Sequence, residues 1–337
     1  MKIDRHLSWV LLCKDGQVLL VRQKRGFGRG KLSGVGGKQK AGESIEECAI
    51  RETKEEIGVK IRDFRLAGQI IFDNLFYAGK PERVMMHCYI AESWTGEIRE
   101  SDEVTPQWFK ANEIDYGQLW DDDQYWLPLV LRGKRVEAYF HYLPDNSFDR
   151  YWVAELPEKL ISDLDDAKLG LAPTPTATGV DFYIKEGARA VLLDDKNRVA
   201  LIHATRRGWY KLPGGGCKDG ELIAETLLRE VREETGYEAK IIQPLGYGLT
   251  RRNRWQMIGK ANCYLCRAGE FHGAEAMPDE IADGDRLEWF DDFDAAIAAL
   301  QTVKLDEIGY YGAYFFTQRE IDFLKYAKQI TQESNAE

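Results

Sequence analysis

The feature that most constrains this chain is a residue spacing that occurs twice. Gly37, Glu43, Arg51, Glu52, Glu55, Glu56 and Gly58 each recur 178 positions later, as Gly215, Glu221, Arg229, Glu230, Glu233, Glu234 and Gly236. Seven fixed matches would arise by chance on the order of once in 10⁸ windows, so the chain contains two copies of one unit. The likeness extends upstream. Trp9 to Cys13 and Gln17 to Val21 flank an Asp-Gly turn and read as a hairpin. Ala190 to Leu193 and Arg198 to Ile202 repeat it, with Val10 matching Val191 at an offset of 181. The first copy therefore carries three extra residues between Arg22 and Gly36. A loop that differs between copies is where substrate choice is expected to diverge.

Within each copy the spacing predicts a helix with a chemical purpose. Ser44 followed by Glu47 is a capping-box signature, and Gly58 stands where the helix should stop, so residues 45–57 are expected to be helical. At 100° per residue, Glu52, Glu55 and Glu56 share one face, with Ile45, Cys48, Ala49 and Ile57 supplying the apolar remainder. Like charges three and four residues apart repel, so something must offset them. A set of oxygen donors is the ligand type of Mg²⁺, with Mn²⁺ as an alternative, and Mg²⁺ shares its shell with substrate phosphates. Arg51 precedes the cluster and can hold a carboxylate by a bidentate pair. Gly34, Gly36 and Gly37 precede the helix in a loop whose backbone can approach phosphate. In the second copy Glu230, Glu233 and Glu234 share a face, Leu227, Leu228 and Val231 supply the buried one, and Gly214 to Gly216 precede it. Taken alone, R-E-x-x-E-E describes a solvated helix face; the glycines and the upstream Glu set this pattern apart.

At 337 residues the chain accommodates two domains with their own cores. We expect domains at residues 1–156 and 179–332. Between them, a short helix over about Leu156 to Leu171 leads into the Pro/Thr/Ala-rich stretch Ala172–Gly179, with 157–178 taken as linker. A C-terminal helix is expected over Gln318–Ile330. The net charge of −10 argues against binding long nucleic acid, which relies on clustered Lys and Arg, but not against small nucleotides bound through metal. The apolar run Leu7–Cys13 is too short for a signal peptide or a membrane span, and six sparse cysteines suit a reduced, cytoplasmic protein. Cys263 and Cys266 have C-x-x-C spacing without a second ligand pair, so they read as buried strand cysteines rather than a zinc site. Oligomeric state has no signature here.

The full spacing, G-x5-E-x7-R-E-U-x-E-E-x-G-U with U a bulky apolar residue, resembles the Nudix box. Thr53 and Tyr237 depart from it at two apolar positions, both away from the acidic face. The resemblance implies an α/β fold: two Nudix modules in tandem, each an α/β/α sandwich with a mixed sheet and the box as a loop–helix–loop. It implies a metal held by Glu52, Glu55 and Glu56 with Gly36, and by Glu230, Glu233 and Glu234. Arg51 and Arg229, with Glu43 and Glu221, would orient these ligands, and Glu56 or Glu234 would serve as general base. Activity would be hydrolysis of nucleotide phosphoanhydrides.

Residues 5–142 resemble one subgroup, the oxidised purine nucleoside triphosphate hydrolases related to MutT. The likeness rests on Lys24–Gly30, Gly68–Phe72, Glu100–Glu103 and Trp120–Trp126. It implies a base pocket of Phe27, Phe72, Trp120, Asp122 and Asp123, further substrate contacts from Ser33, Gly37 and Lys38, and Glu100 as an additional metal ligand. Aromatic rings suit a purine, and two adjacent buried Asp residues should share a proton. Ser33 stands where the subgroup has Asn, which bears on the choice among 8-oxo-dGTP, 2-hydroxy-dATP and related bases. Products would be a nucleoside monophosphate and pyrophosphate.

The second copy has no such pocket in its sequence. Glu280 is its candidate out-of-box ligand. Arg251-Arg-Asn-Arg-Trp255 is either a phosphate grip or a solvated strand connection. Two alternatives stand beside the main reading. One is a broader hydrolase of ADP-ribose, dinucleoside polyphosphates or RNA 5′ ends. The other is a nucleotide-sensing regulator, which intact carboxylates and the lack of a basic recognition region disfavour.

Overall fold

The computed structural model describes residues 2–26, 28–77, 80–172, 181–274 and 284–334. It divides into two compact units, 1–155 and 156–337.

In the first unit the hydrophobic alternation of β1 (Arg5–Lys14) and β2 (Gln17–Gln23) is realised as an antiparallel hairpin closed at Asp15-Gly16, with Lys14 opposite Gln17. Short strands β3 (Leu32–Ser33) and β4 (Val35–Lys38) lead into helix α1 (Ile45–Ile57). After it come β5 (Lys60–Ile61), the long pair β6 (Phe64–Tyr77) and β7 (Lys80–Ala91), then β8 (Trp94–Thr95) and β9 (Val104–Lys110). Helix α2 (Asp123–Leu131) and strands β10 (Val136–Tyr142) and β11 (Phe148–Glu155) complete the unit. The main sheet runs β11-β10-β6-β7-β1-β2-β3, with β4 also on β1 and β9 on β2. It is mixed: β1 is parallel to β7 and β10 to β6, and the other pairs are antiparallel. Alternate residues of β1 feed two cores. Val10 and Leu12 pack toward α1 with Ala49 and Ile57, while Trp9 and Leu11 pack with Trp126, Leu127 and Val130 of α2. This is the expected sandwich, with helices on both faces of the sheet.

The second unit repeats the plan with β13 (Tyr183–Leu193), β14 (Val199–Ala204), β15 (Trp209–Lys211), α3 (Ile223–Thr235), β16 (Tyr237–Arg252), β17 (Met257–Phe271) and β18 (Asp285–Phe290). Here too the first strand is parallel to the later hairpin strand, β13 to β17. The far face is covered by α4 (Phe293–Gln301), the single turn α5 (Leu305–Ile308) and α6 (Tyr311–Ser334), whose Phe323 and Leu324 pack with Val191 and Leu201. The C-terminal helix is longer at both ends than the expected 318–330.

One expectation is overturned. The stretch read as a short helix leading to a linker contains instead β12 (Leu160–Leu164), a strand parallel to β16 at the edge of the second sheet. Residues 157–172 are thus not linker; 173–178 lie outside the described residues. Cys263 and Cys266 are buried strand residues, as expected. Among the described residues no helix is long and apolar enough to cross a membrane.

Candidate active sites

The twice-repeated spacing is explained by one hydrogen-bonded device built around an arginine. In the first unit Ser44 caps α1: its hydroxyl accepts from Glu47 N at 3.1 Å and its N–H donates to Glu47 at 2.7 Å. Gly58 ends the helix in the left-handed region, at φ 79°, where a side chain would be strained. Arg51 donates to Glu43 through Nε (3.0 Å) and Nη2 (2.7 Å), and through Nη1 to Glu52 (2.6 Å) and Glu55 (3.0 Å). It therefore grips three carboxylates, where the sequence suggested one. The Arg51 guanidinium, with the Lys40 N–H, pulls Glu43 down to about 2. A Cβ at Gly37 would lie 2.5 Å from Glu52 Oε1, so this glycine leaves the space the carboxylate fills.

The second unit reproduces the arginine's contacts, although Leu222 stands at the helix N-cap where the first unit has Ser44. Arg229 donates to Glu221 at 2.6 and 2.9 Å, to Glu230 at 2.7 Å and to Glu233 at 2.9 Å. A Cβ at Gly215 would lie 2.4 Å from Glu230. Gly236 closes the helix at φ 77°.

Glu56 and Glu234 are the inner carboxylates. Each is buried and accepts from a loop N–H, Gly36 at 3.2 Å and Gly214 at 2.7 Å. Burial pushes Glu56 up to about 8, with the charges of Glu52, Glu103 and Glu55 adding to it. No cation stands within ion-pair distance of Glu56 among the described residues. A buried carboxylate with only anionic neighbours, at the edge of an all-oxygen donor set, fits a divalent cation. Among the described residues no group of three or more His, Cys, Asp or Glu side chains is gathered closely enough to hold a metal ion by itself.

The inner carboxylate of the second unit differs. Lys211 Nζ stands 2.8 Å from Glu234 and 2.9 Å from Asp285. Strand pairing shows what Lys211 replaces: Val21 faces Ser33 as Ile202 faces Lys211, which also confines the three extra residues of the first copy to the stretch between Val21 and Ser33. Burial pushes Glu234 up to about 7, against the pull of Lys211.

In the first unit a cavity of about 280 Å³ joins the box to the predicted base pocket. Glu56, Gly36, Gly37 and Ser33 line one part, and Phe72, Trp120, Asp122 and Asp123 another. Ser33 Oγ accepts from Trp9 Nε1 at 2.9 Å, so its own proton remains available to a ligand. The two Asp residues are not equivalent. Asp122 accepts from Tyr142 Oη at 2.7 Å and Trp126 Nε1 at 3.1 Å, whereas Asp123 accepts only from Trp120 N, at 3.0 Å. Burial raises both carboxyls, and Asp122's charge adds to the rise of Asp123. Two donors favour ionised Asp122, so the proton resides on Asp123.

Neither Lys38 nor Glu100 lines this cavity. Lys38 contributes a backbone carbonyl that accepts from Arg51 at 3.1 Å. Glu100 is half-exposed and ion-paired to Lys24 Nζ, so it is not placed as the extra ligand. The carboxylate outside the box that acts on Glu56 is Glu103, three residues on in the same acidic stretch. Phe27 and Glu280 lie outside the described residues.

The second unit's cavity, about 480 Å³, is lined by Glu230, Glu233, Glu234, Lys211, Arg189 and Phe316 among others. Of the basic stretch 251–255, Arg251 is exposed and paired with Asp163 at 2.6 Å. Arg252 is buried, which neither reading of the stretch anticipated.

Comparison with known proteins agrees with this duplication. The NUDIX domain family model matches residues 4–130 and 184–307, more than half of the chain. An oxidized purine nucleoside triphosphate hydrolase of Danio rerio is 43% identical over 142 residues, covering 42% of this chain and 89% of its own. One from Mus musculus is 36% identical over 156 residues, covering 46% of this chain and 98% of its own. Among solved structures, a MutT protein from Bacillus halodurans is 29% identical, with a TM-score of 0.39, covering 44% of this chain and 97% of its own.

Proposed function

The chain belongs to the NUDIX domain family and is a hydrolase of phosphoric anhydrides, and from that premise we propose that its first unit converts oxidised purine nucleoside triphosphates, such as 8-oxo-dGTP or 2-hydroxy-dATP, to monophosphate and pyrophosphate. The observation that carries this reading is the single cavity running from Glu56 to the Asp122–Asp123 pair. A purine seated between Phe72 and Trp120 meets a protonated Asp123 as donor and Ser33 as a short hydroxyl partner. Oxidation at position 8 or 2 changes the donor and acceptor pattern of the base edge, and a carboxyl that can donate or accept suits such a base. Its triphosphate then extends toward the Gly34–Gly37 loop and the box.

A divalent cation, Mg²⁺ or Mn²⁺, held by Glu52, Glu55, Glu56 and the Gly36 carbonyl, or by Glu230, Glu233 and Glu234, would neutralise phosphate charge and acidify a bound water. Arg51 holds one oxygen of Glu52 and one of Glu55. Glu56, with Oε2 engaged by Gly36 N, has Oε1 free to take the proton of the attacking water. The second unit supplies the same box to a different substrate, because Lys211 and Arg189 take the positions of Ser33 and Trp9. We further read the protein as a cytoplasmic enzyme acting on free nucleotides.

The test is a nucleotide panel with Mg²⁺, read by pyrophosphate release, with Glu56→Gln and Glu234→Gln compared separately. Loss of oxidised-purine turnover by at least about 100-fold in Glu56→Gln is expected. Retained turnover in that variant would sink the assignment to the first unit.

A further inference from the structure

The second unit holds a concentration of positive charge that its Nudix chemistry does not use. Beside the box loop, sharing Lys185, Arg189, Gly215, Gly216 and Phe316 with the larger cavity, lies a recess of about 120 Å³. Arg252, Arg319 and Lys260 line its far side. Arg252 and Arg319 are 4% and 2% exposed, and the Nε of each is buried without a hydrogen-bond partner. Arg252 has no carboxylate partner among the described residues; its guanidinium stacks 4.4 Å from the Phe316 ring centre. Arg319 and Arg189 share one carboxylate, Glu320, at 2.6 and 3.4 Å. Lys260 pairs with Glu186 at 2.8 Å. Five cations thus face two carboxylates, and burial with the neighbouring Arg319 charge pulls Arg252 down to about 9.

Such an arrangement is costly for folding alone, since buried charge without a partner disfavours the native state. The comparison between units sharpens the point. A Cβ at Gly36 would meet Ser8 O and Trp9 Cα, and one at Gly214 would meet Ala188 O and Arg189 Cα, so Arg189 is the counterpart of Trp9, as Lys211 is of Ser33. An aromatic and a hydroxyl position at the base pocket of the first unit are thus cationic in the second. Arg189 also donates to Gly215 O at 3.3 Å, tying the recess to the box loop.

We propose that this recess binds a phosphomonoester of the second unit's substrate, separate from the phosphoanhydride that is cleaved at Glu230, Glu233 and Glu234. The class of substrate is then a nucleoside diphosphate derivative bearing an additional phosphate on its sugar or on the group beyond. This rests on the reading of the second unit as a hydrolase, but the recess itself does not.

Two measurements separate these parts. Inorganic phosphate is titrated calorimetrically into the full chain in chelator, without turnover. Saturable binding is expected for wild type, weaker by roughly tenfold or more in Arg252→Met and in the rim variant Lys260→Gln, and partly restored in Arg252→Lys. Equal binding in wild type and Lys260→Gln, or no saturable binding to wild type, would overturn the recess as a phosphate site. Should Arg252→Met not fold, Lys260→Gln carries the comparison. In the second arm, turnover with Mg²⁺ is compared for NADP against NAD and for 2′-phospho-ADP-ribose against ADP-ribose. Preference for the phosphorylated member, reduced in Lys260→Gln, is expected. Phosphate binding with no such preference would overturn the link to substrate, and absence of turnover on every compound would instead remove the hydrolase reading of this unit.

Discussion

Lys211 Nζ stands 2.8 Å from Glu234, whereas the matching position of the first unit is Ser33 and its inner carboxylate Glu56 has no cation within ion-pair distance among the described residues. The second site thus carries a built-in cation where the first has a hydroxyl. Lys211→Ser is expected to tighten Mn²⁺ binding at the second site by roughly tenfold, about 1.4 kcal/mol, read by electron paramagnetic resonance of free Mn²⁺. In chelator the same variant leaves a buried carboxylate unpaired and should lose about 3 kcal/mol of stability in denaturant titration. Unchanged Mn²⁺ affinity would show that the lysine does not compete with metal.

The asymmetry of the Asp pair predicts different outcomes for the two amides. Asp122→Asn turns an amide N–H₂ toward Tyr142 or Trp126, which are already donors, and should cost about 1–3 kcal/mol of stability. Asp123→Asn keeps a donor and loses ionisation. Thermal unfolding should barely move, while KM for oxidised purines should lose its dependence on pH. In wild type KM should rise as pH climbs through the raised titration of Asp123, because the donated proton is lost. A KM profile identical in wild type and Asp123→Asn would refute the proton assignment.

Gly37→Ala tests the space reserved for Glu52. Gly37 is in extended backbone, so alanine is compatible with the strand, but its Cβ would stand 2.5 Å from Oε1. The carboxylate must turn away. Metal affinity at the first site should weaken by roughly tenfold with stability changed by no more than about 0.5 kcal/mol. Calorimetry with Mn²⁺ alongside thermal unfolding checks both halves.

Buried His87 and half-buried His6 form a pair outside both sites, Nδ1 of His6 to Nε2 of His87 at 3.0 Å. Burial, helped by the His6 charge and opposed by Glu46, lowers His87 to about 4. Its folded titration lies below the ordinary 6.5, so between these values the unfolded chain binds more protons and stability increases with pH. Acidifying from pH 7 to 5 should therefore remove about 2 kcal/mol through His87. Denaturant midpoints of wild type and His87→Phe measured across that range check this; equally steep profiles would exclude the pair as the source.

What was legible in the sequence was what is local. The capping box at Ser44, the terminal glycines and the carboxylate face of α1 are set within one or two helical turns, so spacing alone located them. The strand β12 was misread because its pattern inverts the usual polarity: Leu160 is exposed while Ser162 is buried, its hydroxyl donating to Asp322 at 2.7 Å. Its partner strand is also distant in sequence, at Tyr247–Thr250. The sequence offers Glu100 as the ligand outside the box; the fold pairs it with Lys24, as it pairs Glu103 with Arg25. Nothing local marks Lys211, and Arg252 sits in a stretch that reads as a phosphate grip or a solvated connection; pairing and burial place one beside Glu234 and the other against Phe316.

The repulsion among the box carboxylates looked, from spacing alone, as though a metal must relieve it. Arg51 and Arg229 already relieve it for the outer pair, Glu52 with Glu55 and Glu230 with Glu233, and also bind Glu43 and Glu221. Occupancy is thereby uncoupled from folding. Stripping the divalent ion should silence the enzyme while leaving helical circular dichroism intact, and adding it back should restore turnover without a refolding lag. On the proposed chemistry, a shortage of magnesium would idle the enzyme without unfolding it.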